Sequence, residues 1–244
     1  QGKKVLLIDA DAQANLTMAL GYNRPDDIPI TLSTVMQNII DDKTLDVSQG
    51  IIHHSEGVDL LPSNIEMSGF EVRLINAMSR ERVLKTYVNE VKKNYDYVLI
   101  DCMPSLGMIT INALAAADSV IIPTQPHYLS AKGLELLLRS VSMVKRQINP
   151  KLRIDGILMT MVMPRTNISK EITATVKSAY GKKIKVFDTE IPHSIRAVEA
   201  TAEGKSIFAY DKSGKVAAAY EQLGKEVAEI GEKQRNQNRA DRIR

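Results

Sequence analysis

Short runs of Val, Ile and Leu, each followed by a stretch with helical periodicity, are the feature that most restricts the fold of this chain. Continuous apolar runs are typical of strands covered on both faces, which occur in parallel sheets. The alternation therefore predicts an α/β fold in three layers, a mostly parallel twisted sheet with helices on both faces. The predicted strands are Lys4–Asp9, Val58–Leu61, Tyr95–Asp101, Ser119–Pro123, Arg153–Thr160 and Ile184–Thr189.

Amphipathic helices are predicted between these strands because apolar residues recur there at intervals of three and four. A chain of 244 residues, of which 44% are apolar, is large enough for one such domain, predicted over residues 1–230. Residues 231–244 are almost entirely polar and basic, which predicts a flexible tail, either solvated or in contact with nucleic acid. The predicted helices are Gln13–Leu20, Arg80–Lys93, Leu106–Ala117, Ser130–Ile148, Ile168–Tyr180 and Gly214–Ile230.

Charge and cysteine content exclude several classes of protein. The formal net charge of +3 is too small for a dedicated nucleic-acid packing protein, so any DNA contact needs a local basic patch. Cys102 is the single cysteine, which excludes an internal disulfide and predicts a reducing, cytoplasmic location. The sequence contains no run of about 18 apolar residues, so no transmembrane helix is predicted.

Carboxylates stand at the ends of two predicted strands. Asp9 ends the first, with Asp11 in the loop just beyond it, and Asp101 ends the third. The carboxyl ends of parallel strands share one edge of the sheet, where α/β folds bind ligands, and carboxylates there suit a nucleotide–magnesium site. Two plainer explanations remain open, since Asp9 or Asp11 would also cap the helix that follows, and Asp101 would also serve as a strand-end turn residue.

Seven segments of the chain carry distinct motifs: Gly2–Gln13, Leu60–Asn64, Tyr97–Gly107, Ala116–Pro123, Glu190–Arg196, Gly204–Ile207 and Tyr210–Asp211. Taken together, these segments resemble the ParA-type partition ATPases of the deviant Walker A P-loop superfamily. Three residues depart from the family pattern: Ala12 and Ala14 replace Pro and Gly in the first loop, and Met103 replaces a Pro after the Walker B strand. The resemblance extends from Gly2 to about Val227.

The resemblance implies an ATP and Mg²⁺ site with distinct roles for its residues. Asp11 would position or activate the water that attacks the γ-phosphate. Asp9 would lie at the nucleotide-sensing switch and help order Mg²⁺, and Asp101 would hold the water shell of Mg²⁺. The adenine would pack against Met161, Ile191 and Pro192.

The resemblance also implies partners. ATP would join two copies into a homodimer that binds DNA non-specifically, and a ParB-like centromere-binding protein would stimulate hydrolysis. The protein would lie in the cytoplasm on the nucleoid, without stable membrane association. Two alternatives stay open, a MinD-like membrane-positioning ATPase and a non-catalytic relative. The predicted DNA contacts are Arg196, Lys205, Lys212 and Lys215.

No glycine-rich phosphate loop with a lysine occurs in the sequence. In the resembling family this loop and the first strand come just before the segment with which the chain begins. Either they precede Gln1, or the protein is a P-loop-free relative. The sequence as written therefore predicts a P-loop NTPase-like fold lacking the first strand and the phosphate loop. We expect two strands to have unpaired edges and this stretch alone to be inactive.

Overall fold

A computed structural model describes residues 2–103 and 107–243 of the chain. Its strands occur close to five of the six predicted positions, and a two-residue strand precedes Asp59. Every strand pairing but that of the second strand is parallel, which confirms the predicted mostly parallel α/β fold. The strands are β1 (Val5–Ala10), β2 (Ile52–His53), β3 (Asp59–Leu61), β4 (Tyr97–Cys102), β5 (Ser119–Thr124) and β6 (Arg153–Met159).

Ten helices are named in the described part of the chain. The start of the helix predicted at Leu106 lies outside the described residues. The long C-terminal helix continues past Ile230, where the composition changes; the flexibility of residues 231–244 remains a prediction. The helices are α1 (Asn15–Ala19), α2 (Leu32–Ile40), α3 (Glu66–Leu74), α4 (Val83–Val91), α5 (Met108–Ala116), α6 (Tyr128–Gln147), α7 (Asn167–Tyr180), α8 (Ile195–Ala202), α9 (Ile207–Tyr210) and α10 (Lys215–Ile243).

The chain divides into two compact units, and the extent of a single domain over residues 1–230 remains a prediction. The first unit comprises Gln1–Asp118, Leu137–Leu152 and Thr201–Ser206. It contains a sheet of four strands in the order β2-β3-β1-β4. Its core fills the space around β1, where Leu6 and Ile8 are fully buried against helix residues such as Leu32, Phe70 and Leu84.

The second unit comprises Ser119–Leu136, Arg153–Ala200 and Ile207–Arg244. It contains the parallel pair β5-β6. Its core joins Leu158 of β6 to Phe187, Ile191 and Val216, with further apolar residues of α10 packed against them.

The strand predicted at Ile184–Thr189 is absent from the described structure, and this prediction is wrong. The segment makes a single bridge, between Val186 and Ile157 of β6. Beyond that bridge the backbone N–H groups of Asp188 and Thr189 donate to the carboxylate of Glu226 on α10. A side chain thus takes the donors that a neighbouring strand would need.

Strand β4 has one strand neighbour among the described residues, as predicted for a sheet that lacks a strand. It pairs with β1 along its whole length. Leu99, in the middle of β4, is 52% exposed, which is unusual for an apolar residue at the centre of a parallel sheet. Since β4 is the last strand in its sheet within the described part of the chain, one of its edges is unpaired there and is available to a further strand.

Candidate nucleotide site at the acidic end of the sheet

Strands β1 and β4 bring two of the predicted site residues together. The parallel register places Asp9 directly opposite Asp101. Asp11 follows one residue after the end of β1, in the loop at the same edge. The negative charges of Asp9 and Asp11 both act on Asp101, so the three carboxylates belong to one electrostatic group. The predicted convergence of acidic residues at this edge is therefore observed.

Asp9 is the buried member of the three carboxylates, with no exposed surface. Its Oδ2 accepts hydrogen bonds from the Thr17 backbone N–H at 2.9 Å and from Thr17 Oγ1 at 2.7 Å. Its Oδ1 accepts a hydrogen bond from the Asp11 backbone N–H at 3.2 Å. Both oxygens are thus engaged with the segment that follows β1, and Asp9 fixes the path of that segment.

Burial raises the pKa of Asp9 above its ordinary value, and the hydrogen bonds from Thr17 and Asp11 oppose that rise. Because both oxygens face inward, the carboxylate is poorly placed to contact a solvated ion directly. The predicted roles of Asp9 in catalysis and in ordering Mg²⁺ therefore remain predictions. The observed contacts give it a positioning role.

Asp101 is the exposed member of the group. Partial desolvation raises the pKa of Asp101, and repulsion from Asp9 and then from Asp11 raises it further. Asp11 is half-buried, and its Oδ1 accepts a hydrogen bond from the Gln13 backbone N–H at 2.9 Å, which shapes the loop. The chain therefore keeps unfavourable negative charge at a surface edge, an arrangement typical of a cation or ligand site.

The donor set suits Mg²⁺ bound through water rather than in a closed protein cage. Mg²⁺ prefers oxygen ligands and keeps several waters, and it needs only one or two carboxylates when phosphates supply the rest. The described residues contain no group of three His, Cys, Asp or Glu side chains able to hold a metal by themselves. Asp101, with Asp11 beside it, fits an outer contact to such an ion.

Thr17 and Ser63 are structural residues of the site that the sequence did not reveal. Thr17 is fully buried, and its Oγ1 both donates to Asp9 and accepts from the Ser63 backbone N–H at 3.2 Å. Ser63 lies two residues after the end of β3 and Thr17 lies in α1, so this bond ties the segment after β3 to α1. The Oγ of Ser63 is itself buried without a hydrogen-bond partner. A threonine eight residues after an aspartate carries no sequence signal of such a contact.

Replacing Thr17 with valine is expected to lower the free energy of unfolding by about 1–3 kcal/mol. The change keeps the shape of the side chain but removes a donor to buried Asp9 and an acceptor for Ser63. Urea denaturation measures the difference.

Thr175→Val is the matched control for this substitution. Thr175 lies exposed on α7, where its hydroxyl donates to the Glu171 carbonyl, so the change should cost less than about 0.5 kcal/mol. Equal losses in Thr17→Val and Thr175→Val would show that the contact with Asp9 contributes nothing.

The three residues predicted to contact adenine lie next to one another in the second unit. Val162 bridges Pro192, and the Val162 N–H donates to the Ile191 carbonyl at 3.0 Å. Met161 is 40% exposed, whereas the Ile191 side chain is buried in the unit's core. Met161 and half-buried Pro192 therefore offer the accessible apolar surface, while Ile191 anchors the segment.

All four basic residues predicted to contact DNA are exposed. Lys205 belongs to the first unit and forms an ion pair with Glu203 at 2.8 Å. The others belong to the second unit. The guanidinium of Arg196 lies 6.0 Å from the centre of the Tyr210 ring. Lys215 is the first residue of α10, and Lys212 lies in the turn before it. Their role in DNA binding remains a prediction.

Comparison with known proteins decides the family. A family model described as an AAA domain matches residues 1–154. The Bacillus subtilis sporulation initiation inhibitor protein Soj is 41% identical over 231 residues, covering 94% of this chain and 88% of that protein. The chain belongs to the ParA/Soj family. The chromosome partitioning protein ParA of Myxococcus xanthus is 36% identical over 227 residues, covering 92% of this chain and 77% of that protein.

A solved structure carries the same fold. The Mycobacterium smegmatis cobyrinic acid a,c-diamide synthase, determined with a bound ATP analog and magnesium, is 33% identical to this chain. The match has a TM-score of 0.79 and covers 91% of this chain and 80% of that one. The predicted P-loop ATPase-like fold and the resemblance to ParA/Soj proteins are thereby confirmed. No helix in the described part of the chain is both long and apolar enough to cross a membrane.

Proposed function

We propose that this protein is a partition ATPase, a switch that uses ATP and Mg²⁺ to segregate chromosomal, plasmid or mobile-element DNA. The register that sets Asp9 opposite Asp101, with Asp11 beside them, carries the proposal. It places carboxylates at the carboxyl ends of adjacent parallel strands, where α/β folds bind nucleotides. The ParA/Soj relatives support a role in partition, and the structure determined with an ATP analog and magnesium supports a nucleotide–magnesium site.

Each carboxylate has its own task in the proposed site. Asp11 orients the attacking water, since its carboxyl is accessible and its loop is fixed from both sides by Asp9 and Gln13. Asp101 holds water bound to Mg²⁺, and Asp9 keeps the loop in place through Thr17. Bound Mg²⁺ neutralises charge on the phosphate oxygens.

The proposed cycle links nucleotide state to DNA. With ATP bound, two copies associate and hold DNA through phosphate contacts of Arg196, Lys205, Lys212 and Lys215, without reading sequence. A ParB-like centromere-binding protein stimulates hydrolysis, and the dimer then releases DNA. The protein would accordingly be found on the nucleoid, in the cytoplasm.

Retention on DNA tests the proposed function. The protein expressed from its complete reading frame is mixed with plasmid DNA or with anionic vesicles, in the presence of Mg-ATP or Mg-ADP. We expect the protein to be retained on DNA with Mg-ATP but not with Mg-ADP. A plot of the logarithm of the DNA-binding constant against the logarithm of the salt concentration should fall with a slope of about 0.9 for each phosphate contacted. Binding to vesicles but not to DNA would favour the MinD-like alternative. Absence of any Mg-ATP effect on unfolding temperature would favour a non-catalytic relative.

Reversing one charge of the proposed patch gives a sharper test. Arg196→Glu is expected to lower DNA affinity and to reduce the salt slope by about 1, while basal ATP hydrolysis is unchanged. Filter binding across a salt series measures both quantities.

Arg165→Glu is the matched control, since Arg165 is also exposed in the second unit and has no proposed DNA contact. Equal loss of affinity in Arg196→Glu and Arg165→Glu would mean that overall charge, not a defined patch, governs binding. Loss of hydrolysis together with DNA binding would indicate a folding defect in place of a lost contact.

A further inference from the structure

We infer that a backbone contact between Gly21 and Gly204 couples the nucleotide-site segment to the basic segment around Lys205. The inference rests on the proposed function, because it assigns the route by which the nucleotide state reaches a DNA-contacting segment. All residues involved belong to the first unit. Two segments define the coupling: the switch segment, residues 17–22, and the basic segment, residues 204–206.

The switch segment is tied to the site at its start. The backbone N–H and the hydroxyl of Thr17 both donate to Asp9. The Thr17 carbonyl then accepts hydrogen bonds from the N–H groups of Leu20 and Tyr22 at 3.3 Å, and the Gly21 N–H donates to the Met18 carbonyl at 2.8 Å. These bonds close α1 into a tight turn, so a displacement of Thr17 also moves Gly21.

Gly21 and Gly204 touch through their backbones. Both have positive φ, +89° for Gly21 and +64° for Gly204. A Cβ added to Gly204 would come within 2.8 Å of the Gly21 backbone N and closer still to its Cα, whereas one added to Gly21 would meet the Gly204 carbonyl at an ordinary 3.5 Å. Backbone atoms cannot swing away as a flexible side chain can, so only glycine at position 204 permits this approach.

A second pair of contacts holds the basic segment to the switch segment. The rings of Tyr22 and His54 meet edge to face, with 6.3 Å between their centres. His54 begins the turn closed by the Gly57 N–H, and Glu56 within that turn accepts a hydrogen bond from the Ser206 backbone N–H at 2.9 Å. The switch segment, this turn and the basic segment therefore form a closed triangle of contacts.

The consequence concerns Lys205, which lies between Gly204 and Ser206. Both of its chain neighbours are fixed, one against Gly21 and the other by Glu56. A change in the switch segment when ATP replaces ADP is therefore passed to the position of Lys205. Gly204 and Glu56 act as positioning residues and contact neither nucleotide nor DNA in this account.

The test compares the ratio of DNA affinities in Mg-ATP and Mg-ADP. In Gly204→Ala we expect this ratio to fall at least about fivefold towards unity, the lower end of the usual range of allosteric coupling. Affinity for ATP should stay within about twofold of the wild type. Gly2→Ala is the control, because Gly2 has a φ of +65° and nothing within 4 Å of an added Cβ. It carries the same backbone strain without the clash and should keep the wild-type ratio.

A second pair of variants serves if Gly204→Ala does not fold. Glu56→Ala removes the acceptor for Ser206 and should lower the ratio, whereas Glu56→Gln keeps an acceptor and should preserve it. Hydrogen exchange gives an independent signal: adding Mg-ATP should alter exchange in residues 17–22 and 204–206 together in the wild type, but in residues 17–22 alone in Gly204→Ala.

Three outcomes overturn the inference. A folded Gly204→Ala protein with the wild-type ratio would show that the contact transmits nothing. An equal loss of DNA affinity in both nucleotide states would reduce the contact to a local structural role. A wild-type protein that binds no DNA in either state would overturn the proposed function and the coupling with it, whereas the first two outcomes leave the proposed function standing.

Discussion

Asp11→Ala is expected to slow ATP hydrolysis by about a hundredfold or more while ATP still binds, leaving the protein trapped on DNA. Removing the group that orients and activates the attacking water lowers the rate of the chemical step, and general acid–base catalysis typically contributes 10²–10⁴-fold. Binding is retained because Asp101 and the phosphate contacts remain. Phosphate release measures the rate, and the dissociation time from plasmid DNA measures the trap.

Asp11→Asn separates this chemical role from a structural one. Asparagine keeps an oxygen that can accept the hydrogen bond from Gln13, so the loop retains its shape. If Asp11 acts on water through its charge, Asp11→Asn and Asp11→Ala should both hydrolyse ATP slowly. If only Ala is slow, the residue acts by shaping the loop. If Asp11→Ala hydrolyses ATP at the wild-type rate, the assigned role is wrong.

Asp101→Asn is expected to stabilise the nucleotide-free protein while weakening Mg-ATP binding about 10- to 100-fold. The affinity loss is that expected on removing a residue that contacts a metal through its bound ligands. The stability gain follows from the pKa, which partial burial, Asp9 and Asp11 raise above the ordinary value of 3.8. A carboxyl whose pKa is higher in the folded state destabilises that state when it ionises.

The pH dependence checks the sign of this effect. Below the ordinary pKa, Asp101 is protonated and neutral in both the folded and the unfolded protein, so it does not affect the free energy of unfolding. As the pH rises through the raised folded-state pKa, the cost develops fully. The gain in unfolding free energy of Asp101→Asn should therefore be present at pH 7 and disappear below about pH 4. Denaturation at the two pH values measures it, and a gain that persists in acid would mean that packing, not charge, is responsible.

The position of the site could be predicted from the sequence because the site is built from residues at the ends of strands. Strands β1 and β4 begin and end within two residues of their predictions, and the runs that define them are strongly apolar. Since the carboxyl ends of parallel strands lie at the same end of a sheet, the sequence alone predicts that Asp9 and Asp101 lie close together. The single strand neighbour of β4 among the described residues likewise agrees with the expected unpaired edge.

Contacts between distant segments could not be predicted. Asp9 is bonded to Thr17 on the following helix. Ile184–Thr189 is not a strand because Glu226, which is 37 residues from Thr189 in sequence, binds its backbone N–H groups. Helix α4 starts three residues later than predicted, where the Asn112 side chain accepts the Leu84 N–H. In each case a side chain accepts a hydrogen bond from backbone N–H groups of another segment, and local periodicity does not reveal such contacts.

Helix α2 is not among the predicted helices, although its start carries a local sequence signal. Helix α2 begins with Thr31 and Thr34 in a reciprocal capping box, in which each side chain accepts a hydrogen bond from the other residue's backbone. The pattern of a hydroxyl residue followed three positions later by a second one is visible in the sequence. Such a box more often has Glu or Gln as its second member, which explains why this start is harder to find.

Manganese binding reports on whether a metal–nucleotide site lies at the acidic end of the sheet. With Mn²⁺ in place of Mg²⁺, the unbound ion is measured by electron paramagnetic resonance in the protein expressed from its complete reading frame. We expect a single Mn²⁺ to bind per chain, and only in the presence of ATP. Asp101→Asn should weaken this Mn²⁺ binding. Asp118→Asn, a change at an exposed residue outside the site, should leave it unchanged. Equal ATP-dependent binding of Mn²⁺ in the wild type and in Asp101→Asn would contradict a metal–nucleotide site at the acidic end of this sheet.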